Sequence, residues 1–267
     1  MGNHKISITA EFASLIKSRT DEKYNYFVSN KTRKLYKLIS NVFSKNAIDK
    51  IFHDRLTLSN EFGTFIEKNN FETIVEFGAG YSLRGFVYSL QNKDVIYIDT
   101  DFVGVIENKK QILFDICKDA NIIYPDNYRL LSVDVLNDDL AEKLNSYLKN
   151  RNLFLAEGLT SYFNFKEYSK FLDRIRPFLK QFQNVFFSQE NFLKKHSLVY
   201  MILRKLVVVM TRNKSYIKFK TKDDLTKFLT IKDLAIVMHI SKMSIYFIES
   251  IKLFCPFLTS FNNVYLF

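Results

Sequence analysis

The chain has no tryptophan, two cysteines, three prolines and seven glycines among its 267 residues. Cys117 and Cys255 lie far apart and no secretory leader is visible, which argues against a disulfide-stapled scaffold and for reduced structural thiols. The four histidines, His4, His53, His196 and His239, show no metal-ligand spacing with each other or with cysteine, so no metal is expected. Scarce glycine and proline leave little linker material, and there is no repeat or low-complexity block. The longest apolar run, LVYMILRKLVVVM (198–210), is broken by Arg204 and Lys205 and is too short to span a bilayer. Met1-Gly2 is followed by Ile6 where a myristoylation signal needs Ser or Thr. A soluble cytoplasmic protein, monomeric or homodimeric, is the expectation.

What is present points to a packed core. Hydrophobic residues make up 47% of the chain, with 27 Phe and 15 Tyr, enough for one α/β domain of this length. The net charge of +11 could draw nucleic acid or an anionic membrane. Abundant Lys, Asn, Ile and Phe beside scarce Gly and Pro also match what an AT-rich genome imposes on any protein.

The chain is organised around TIVEFGAGYSLRG (73–85) and VIYIDTD (95–101). An apolar run ends in Glu76, then a turn on Gly78 and Gly80, and a second apolar run ends in Asp99 and Asp101. Strand, glycine turn, helix, strand, acid is the wiring of an adenosine-type cofactor site in a doubly wound, mostly parallel Rossmann-like sheet. The glycines let the backbone pass close to a ligand, and an acid after the second strand can accept both ribose hydroxyls. A dinucleotide turn needs a third glycine where this chain has Leu83, and Glu76 would repel a pyrophosphate. S-adenosylmethionine carries an ammonium and a sulfonium in place of phosphate, which favours the methyl donor. Asp99 is the expected ribose ligand, with Asp101 the cap of the following helix.

Further along, YRLLSVDVLNDD (128–139) reads as a third strand ending in Asp134, followed by an amphipathic helix over 137–150. LFLAEG (153–158) is a fourth strand whose Glu157 points into the crevice beyond the carboxyl ends of the strands. A carboxylate there needs a partner: a cationic ligand, Arg55 or a lysine. Tyr162, on the next loop, either lines the transfer site or packs in the core. Asn164 to Glu167 reads as a capping box, with Pro177 kinking or ending the helix that follows. Residues 184–190 give a fifth strand, and 216–267 should finish the sheet. Helical periodicity over 6–48 and 55–69 precedes the glycine unit.

Together, residues 76–110, YRLLSVDVLNDD and LFLAEGLTSYF (153–163) resemble the leucine carboxyl methyltransferase / polyketide O-methyltransferase superfamily of class I S-adenosylmethionine-dependent enzymes. Ser82, Arg84, Gly85, Asp99, Asp101 and Lys109 stand at matching places over a span of roughly residues 50 to 190. The resemblance implies a helical cap or substrate lid over 1–50 and a Rossmann-like core over 51–267. It implies that Asp134 and Val135 read the adenine, that Arg55 pairs with the donor carboxylate, and that Lys17, Arg19 and Tyr24 touch substrate. It implies S-adenosyl-L-methionine as cofactor and O-methyl transfer to a small molecule or a protein C-terminus. No histidine offers a convincing general base, which leans toward a carboxyl acceptor. Two rivals stand beside this reading. One is an RNA- or protein-directed methyltransferase using the basic surface, against which the absence of proline from Glu157-Gly158-Leu159-Thr160 counts for RNA bases. The other is a binding protein that keeps the fold without transfer.

Overall fold

The computed structural model describes residues 69–181, 184–189, 219–232, 234–240 and 245–250, with single positions at 11, 14, 15, 28–30, 32–34, 37 and 66. Numbered over these, the elements are β1 (Thr73–Phe77), α1 (Arg84–Gln91), β2 (Ile96–Asp101), α2 (Val103–Asp119) and β3 (Tyr128–Ser132). There follow α3 (Leu140–Leu144), β4 (Asn152–Ala156), a 3-10 turn (Thr160–Tyr162), α4 (Phe165–Leu179) and β5 (Val185–Gln189). The tail supplies α5 (Lys222–Ile231), β6 (Leu234–Ile240) and β7 (Ile245–Ser250).

One sheet in the order β3-β2-β1-β4-β5-β7-β6 holds all seven strands. The first five are parallel, and β7 runs antiparallel to both of its neighbours. This is the Rossmann-like α/β arrangement expected. TIVEF and NLFLA are buried at every position, as strands covered on both faces must be. Alternate residues feed two cores. Val75, Phe77, Phe154 and Phe186 meet α4 and α5, where the Phe77 and Phe171 rings pack edge-on at 5.7 Å. Ile74, Tyr97, Leu153 and Leu155 meet α1 and α2.

Boundaries depart from the sequence reading where side chains compete for the backbone. Asp139 Oδ1 accepts the Ala141 and Glu142 N–H groups and opens α3, which spans Leu140–Leu144 alone. Asn152 then ties down the loop: its Oδ1 accepts from Lys149 N–H, and its Nδ2 donates to the Lys149 carbonyl. The helix over 137–150 therefore stops short of Leu148. The Asn164–Glu167 capping box opens α4, and Pro177 sits inside its last turn, so the helix ends at Leu179 rather than at the proline. In the tail, a second capping box, Thr221 with Asp224, starts α5, and β6 and β7 complete the sheet.

The seating of α1 rests on one small residue. A methyl group on Gly85 would lie 2.6 Å from ring carbons of Tyr97 and 2.9 Å from Asp99 Oδ1. Gly85 thus supplies the close helix–strand approach that Leu83 cannot, while Leu83 itself is buried in the core beside α1. Gly85→Ala should lower stability by about 1–3 kcal/mol through overpacking, despite the helix-favouring methyl. Urea denaturation would check this, and an unchanged midpoint would show that α1 can lift off β2 freely.

Candidate functional site

The site forms where β1, β2 and β4 end side by side. After Phe77 the chain turns through Gly78 (φ +64°) and Gly80 (φ +54°), left-handed conformations that side chains resist. A methyl on Gly78 would also meet Leu159 Cδ1 at 2.9 Å, so the glycine turn and the loop after β4 abut. The turn is stitched to β2: Ala79 N–H donates to the Thr100 carbonyl at 3.0 Å, and Gly80 N–H to Asp101 Oδ2 at 2.8 Å.

Glu76, Asp99 and Glu157 lie in one neighbourhood, and each meets a cation of the chain itself. Glu76 is in register with Asp99 on the neighbouring strand. Its Oε1 accepts from Arg84 Nη2 at 2.8 Å, and its Oε2 accepts from Tyr97 OH at 2.7 Å and Arg84 Nε at 3.3 Å. The same Arg84 Nη2 donates to Glu157 Oε2 at 2.6 Å, so one guanidinium bridges the ends of β1 and β4. Burial pulls the Arg84 pKa down, but Glu76 and Glu157 more than reverse this and hold it well above its ordinary value. Glu76 therefore forms a wall of the site with its charge matched from inside the chain. Glu157 keeps partial exposure at the mouth.

Asp99, the expected ribose ligand, is fully buried. Its Oδ2 accepts from Lys109 Nζ at 2.6 Å and from Tyr128 OH. Burial pushes its carboxyl up, opposed by Lys109 and reinforced by Glu76. The acid that reaches the glycine turn is Asp101, two residues on. Asp101 is not the side-chain cap of α2 that the sequence suggested. Phe102 is the N-cap residue and lacks a capping bond, and Asp101 Oδ1 accepts from Phe102 N–H at 2.8 Å.

Asp134 lies beyond β3 in a half-buried turn, accepting Leu136 N–H at 3.0 Å and Asn137 Nδ2 at 2.9 Å. Val135 is buried in the core, so its backbone is what it can present to a ligand. Tyr162 ends the 3-10 turn after Glu157 and is 37% exposed, which places it among accessible groups and not in the core. Arg55, Lys17, Arg19, Tyr24 and His53 lie outside the described residues. Glu11, in the N-terminal segment, comes close enough to Tyr81 of the glycine turn to act on its charge. Among the described residues, no group of three His, Cys, Asp or Glu could hold a metal, and no helix is long and apolar enough to cross a membrane.

Sequence reasoning left Arg84 and Lys109 without roles, as matching positions only. Two signals bear on them: acids on neighbouring apolar strands demand cations, and Tyr97, Asp99 and Asp101 share one face by strand alternation.

The sequence model of the leucine carboxyl methyltransferase family matches residues 15–176. No curated protein matches the chain by sequence. Among solved structures, mitomycin 7-O-methyltransferase superposes with a TM-score of 0.51 at 11% identity, over 77% of this chain and 58% of that one. An O-methyltransferase from neocarzinostatin biosynthesis, solved with S-adenosyl-L-homocysteine and 1,4-dihydroxy-2-naphthoic acid, gives 0.49 at 14% identity, over 76% and 58%. Magnesium protoporphyrin IX methyltransferase from Synechocystis PCC 6803, solved with S-adenosyl-L-homocysteine, gives 0.49 at 11%, over 85% and 96%. The chain thus spans just over half the length of the first two, and the 0.51 superposition supports the fold.

Burial pushes the Asp101 carboxyl up, against the opposing Phe102 and Gly80 N–H groups. A raised folded-state pKa means that this group stabilises the fold at low pH, and that the contribution is lost as pH rises through that pKa. Followed by denaturation between about pH 4 and pH 7, Asp101→Asn should gain stability relative to the unchanged chain as pH rises. Parallel curves would mean that Asp101 titrates alike in the folded and unfolded chain.

Proposed function

The chain belongs to the leucine carboxyl methyltransferase family, and from that premise we propose that it transfers the methyl group of S-adenosyl-L-methionine to an oxygen of its acceptor. The observation that carries this reading is the junction of the glycine turn with Asp101, made at the carboxyl ends of adjacent parallel strands. In doubly wound sheets that edge is where adenosine-type ligands sit. The cradle suits the donor: Gly78 and Gly80 keep side chains out of the turn, and an acid stands beside it to accept ribose hydroxyls. Asp101 takes the ribose role in place of Asp99, whose Oδ2 is held by Lys109 and Tyr128 and whose side chain is wholly buried, its Oδ1 turned toward Gly85 of α1. The Asp134–Val135 step reads the adenine edge. Glu157, shared with Arg84 at the mouth, faces the cationic end of the donor with Glu76 behind it, and Arg55 pairs with the donor carboxylate.

When bound, the donor supplies a methyl carbon already activated by its sulfonium. The protein then holds donor and acceptor in line at near-attack distance and keeps water out. Tyr162 lines the acceptor side, with Lys17, Arg19 and Tyr24 of the N-terminal cap as acceptor contacts. A carboxylate acceptor is already nucleophilic and needs no base, in keeping with a chain poor in candidate bases. Small carboxylic acids and protein C-termini are therefore the preferred acceptors, ahead of phenols.

Calorimetry with S-adenosyl-L-homocysteine separates the two acids. Asp101→Ala should weaken binding by roughly tenfold or more, as loss of hydrogen bonds to a charged acceptor does. Asp99→Asn should act mainly on stability. The opposite pattern would return the ribose to Asp99, and no binding by the unchanged chain would leave the fold as a scaffold. For the acceptor, label transferred from methyl-labelled donor should be released by mild alkali, as an ester is. Alkali-stable label would exclude a carboxyl acceptor.

A further inference from the structure

We propose that the second turn of α2, through Asn108 and Lys109, is a positioning brace that sets the gap between the glycine turn and Asp101, and so tunes the grip on the donor's ribose. The inference rests on the donor site proposed above. Asn108 Nδ2 donates to Tyr81 OH, on the glycine turn, at 2.7 Å. Lys109, the next residue, donates to Asp99 Oδ2 on β2 at 2.6 Å, with both side chains wholly buried. Asp101 lies two residues beyond Asp99 and accepts from Gly80 N–H, beside Tyr81. The contacts close a circuit: Tyr81, Asn108, Lys109, Asp99, Asp101 and Gly80. Two of its sides are a turn of helix and a length of strand, both stiffened by their own backbone hydrogen bonds. Its one ligand-facing joint is the Gly80–Asp101 contact.

The seating of α2 alone does not call for these polar ties. Val105, Ile106, Leu113 and Ile116 already bury an apolar face against the sheet. A buried ammonium is costly, and a well-packed apolar pair in place of Lys109 and Asp99 would serve stability at least as well. A buried ion pair instead has directional geometry. Tyr128 OH donates to the same Asp99 oxygen from β3, so β2 is held from its helix side and its edge side at once. Asn108 is exposed, so the circuit can be opened there without emptying the core.

The test pairs S-adenosyl-L-homocysteine with its 2′-deoxy analogue in calorimetry on the full chain. The unchanged protein should lose about tenfold in affinity when the ribose hydroxyl is absent. In Asn108→Ala, affinity for the intact ligand should fall about three- to tenfold and the deoxy penalty should shrink to under about threefold. The unfolding midpoint of that variant should move by only a few degrees. Lys109→Met should show the same pattern more strongly, if it folds. Variants that lose thermal stability yet keep the full deoxy penalty would overturn the brace and leave the two residues merely structural. Should the unchanged chain bind the intact ligand with a deoxy penalty that Asn108→Ala retains, the brace fails and the donor site stands. Should it bind neither ligand, both fall.

Discussion

Two carboxylates in register on neighbouring parallel strands, Glu76 and Asp99, are the constraint on which the upper half of the sheet depends. Each is buried, and burial together with the nearby Glu76 charge raises the cost of ionising Asp99. The chain meets this with a separate cation for each, brought from a different helix: Arg84 from the start of α1 and Lys109 from α2. Two tyrosines, Tyr97 and Tyr128, donate to Glu76 Oε2 and Asp99 Oδ2 from the same layer, while Asp99 Oδ1 is buried without a hydrogen bond among the described residues. Burial and the neighbouring carboxylates hold both phenols well above their ordinary pKa, so they act as donors. The closeness of α1 to β2, allowed by Gly85, keeps this layer thin.

Function follows from what that layer leaves over. With Glu76 and Asp99 paired to cations of the chain itself, the acids that border the strand-end edge are Asp101, buried and bound to the glycine turn, and half-buried Glu157 at the loop after β4. Arg84 couples the second of these to the wall, so the ends of β1 and β4 do not move independently. In the proposed donor site, an adenosyl sulfonium would then meet carboxylates already fixed in direction. Transfer of a methyl group asks mainly for such alignment, because the carbon is activated before it reaches the protein.

The lower edge and the far face serve to hold this arrangement still. Asn152 and Asn184 clasp each other at the start of β4 and β5, with Asn184 Nδ2 reaching the Phe178 carbonyl at 2.7 Å. Buried amides satisfied in this way set the register of the central strands. Above them, Phe77, Phe154, Phe171 and Phe186 interlock across the face away from α1. The charged layer and the aromatic layer thus lie on opposite faces of the same strands.

Most of the fold was legible in the primary structure because its signals are local. Mostly apolar runs of about five residues, a turn needing left-handed backbone at Gly78 and Gly80, and the capping box at Asn164 each depend on near neighbours alone. The same locality shows that acids close β1, β2 and β4. Which acid meets a cation and which meets the glycine turn was beyond such reasoning. Asp99 and Asp101 share a strand, a face and a side chain, yet Asp99 meets Lys109, ten residues on, and Tyr128 on another strand, while Asp101 meets Gly80. Arg84 likewise acquires its second partner 73 residues away, when β4 comes to lie beside β1. Sequence alone determined where charge would be buried; only the packed sheet decided what neutralises it, because Coulomb attraction is set by distance in space and not along the chain.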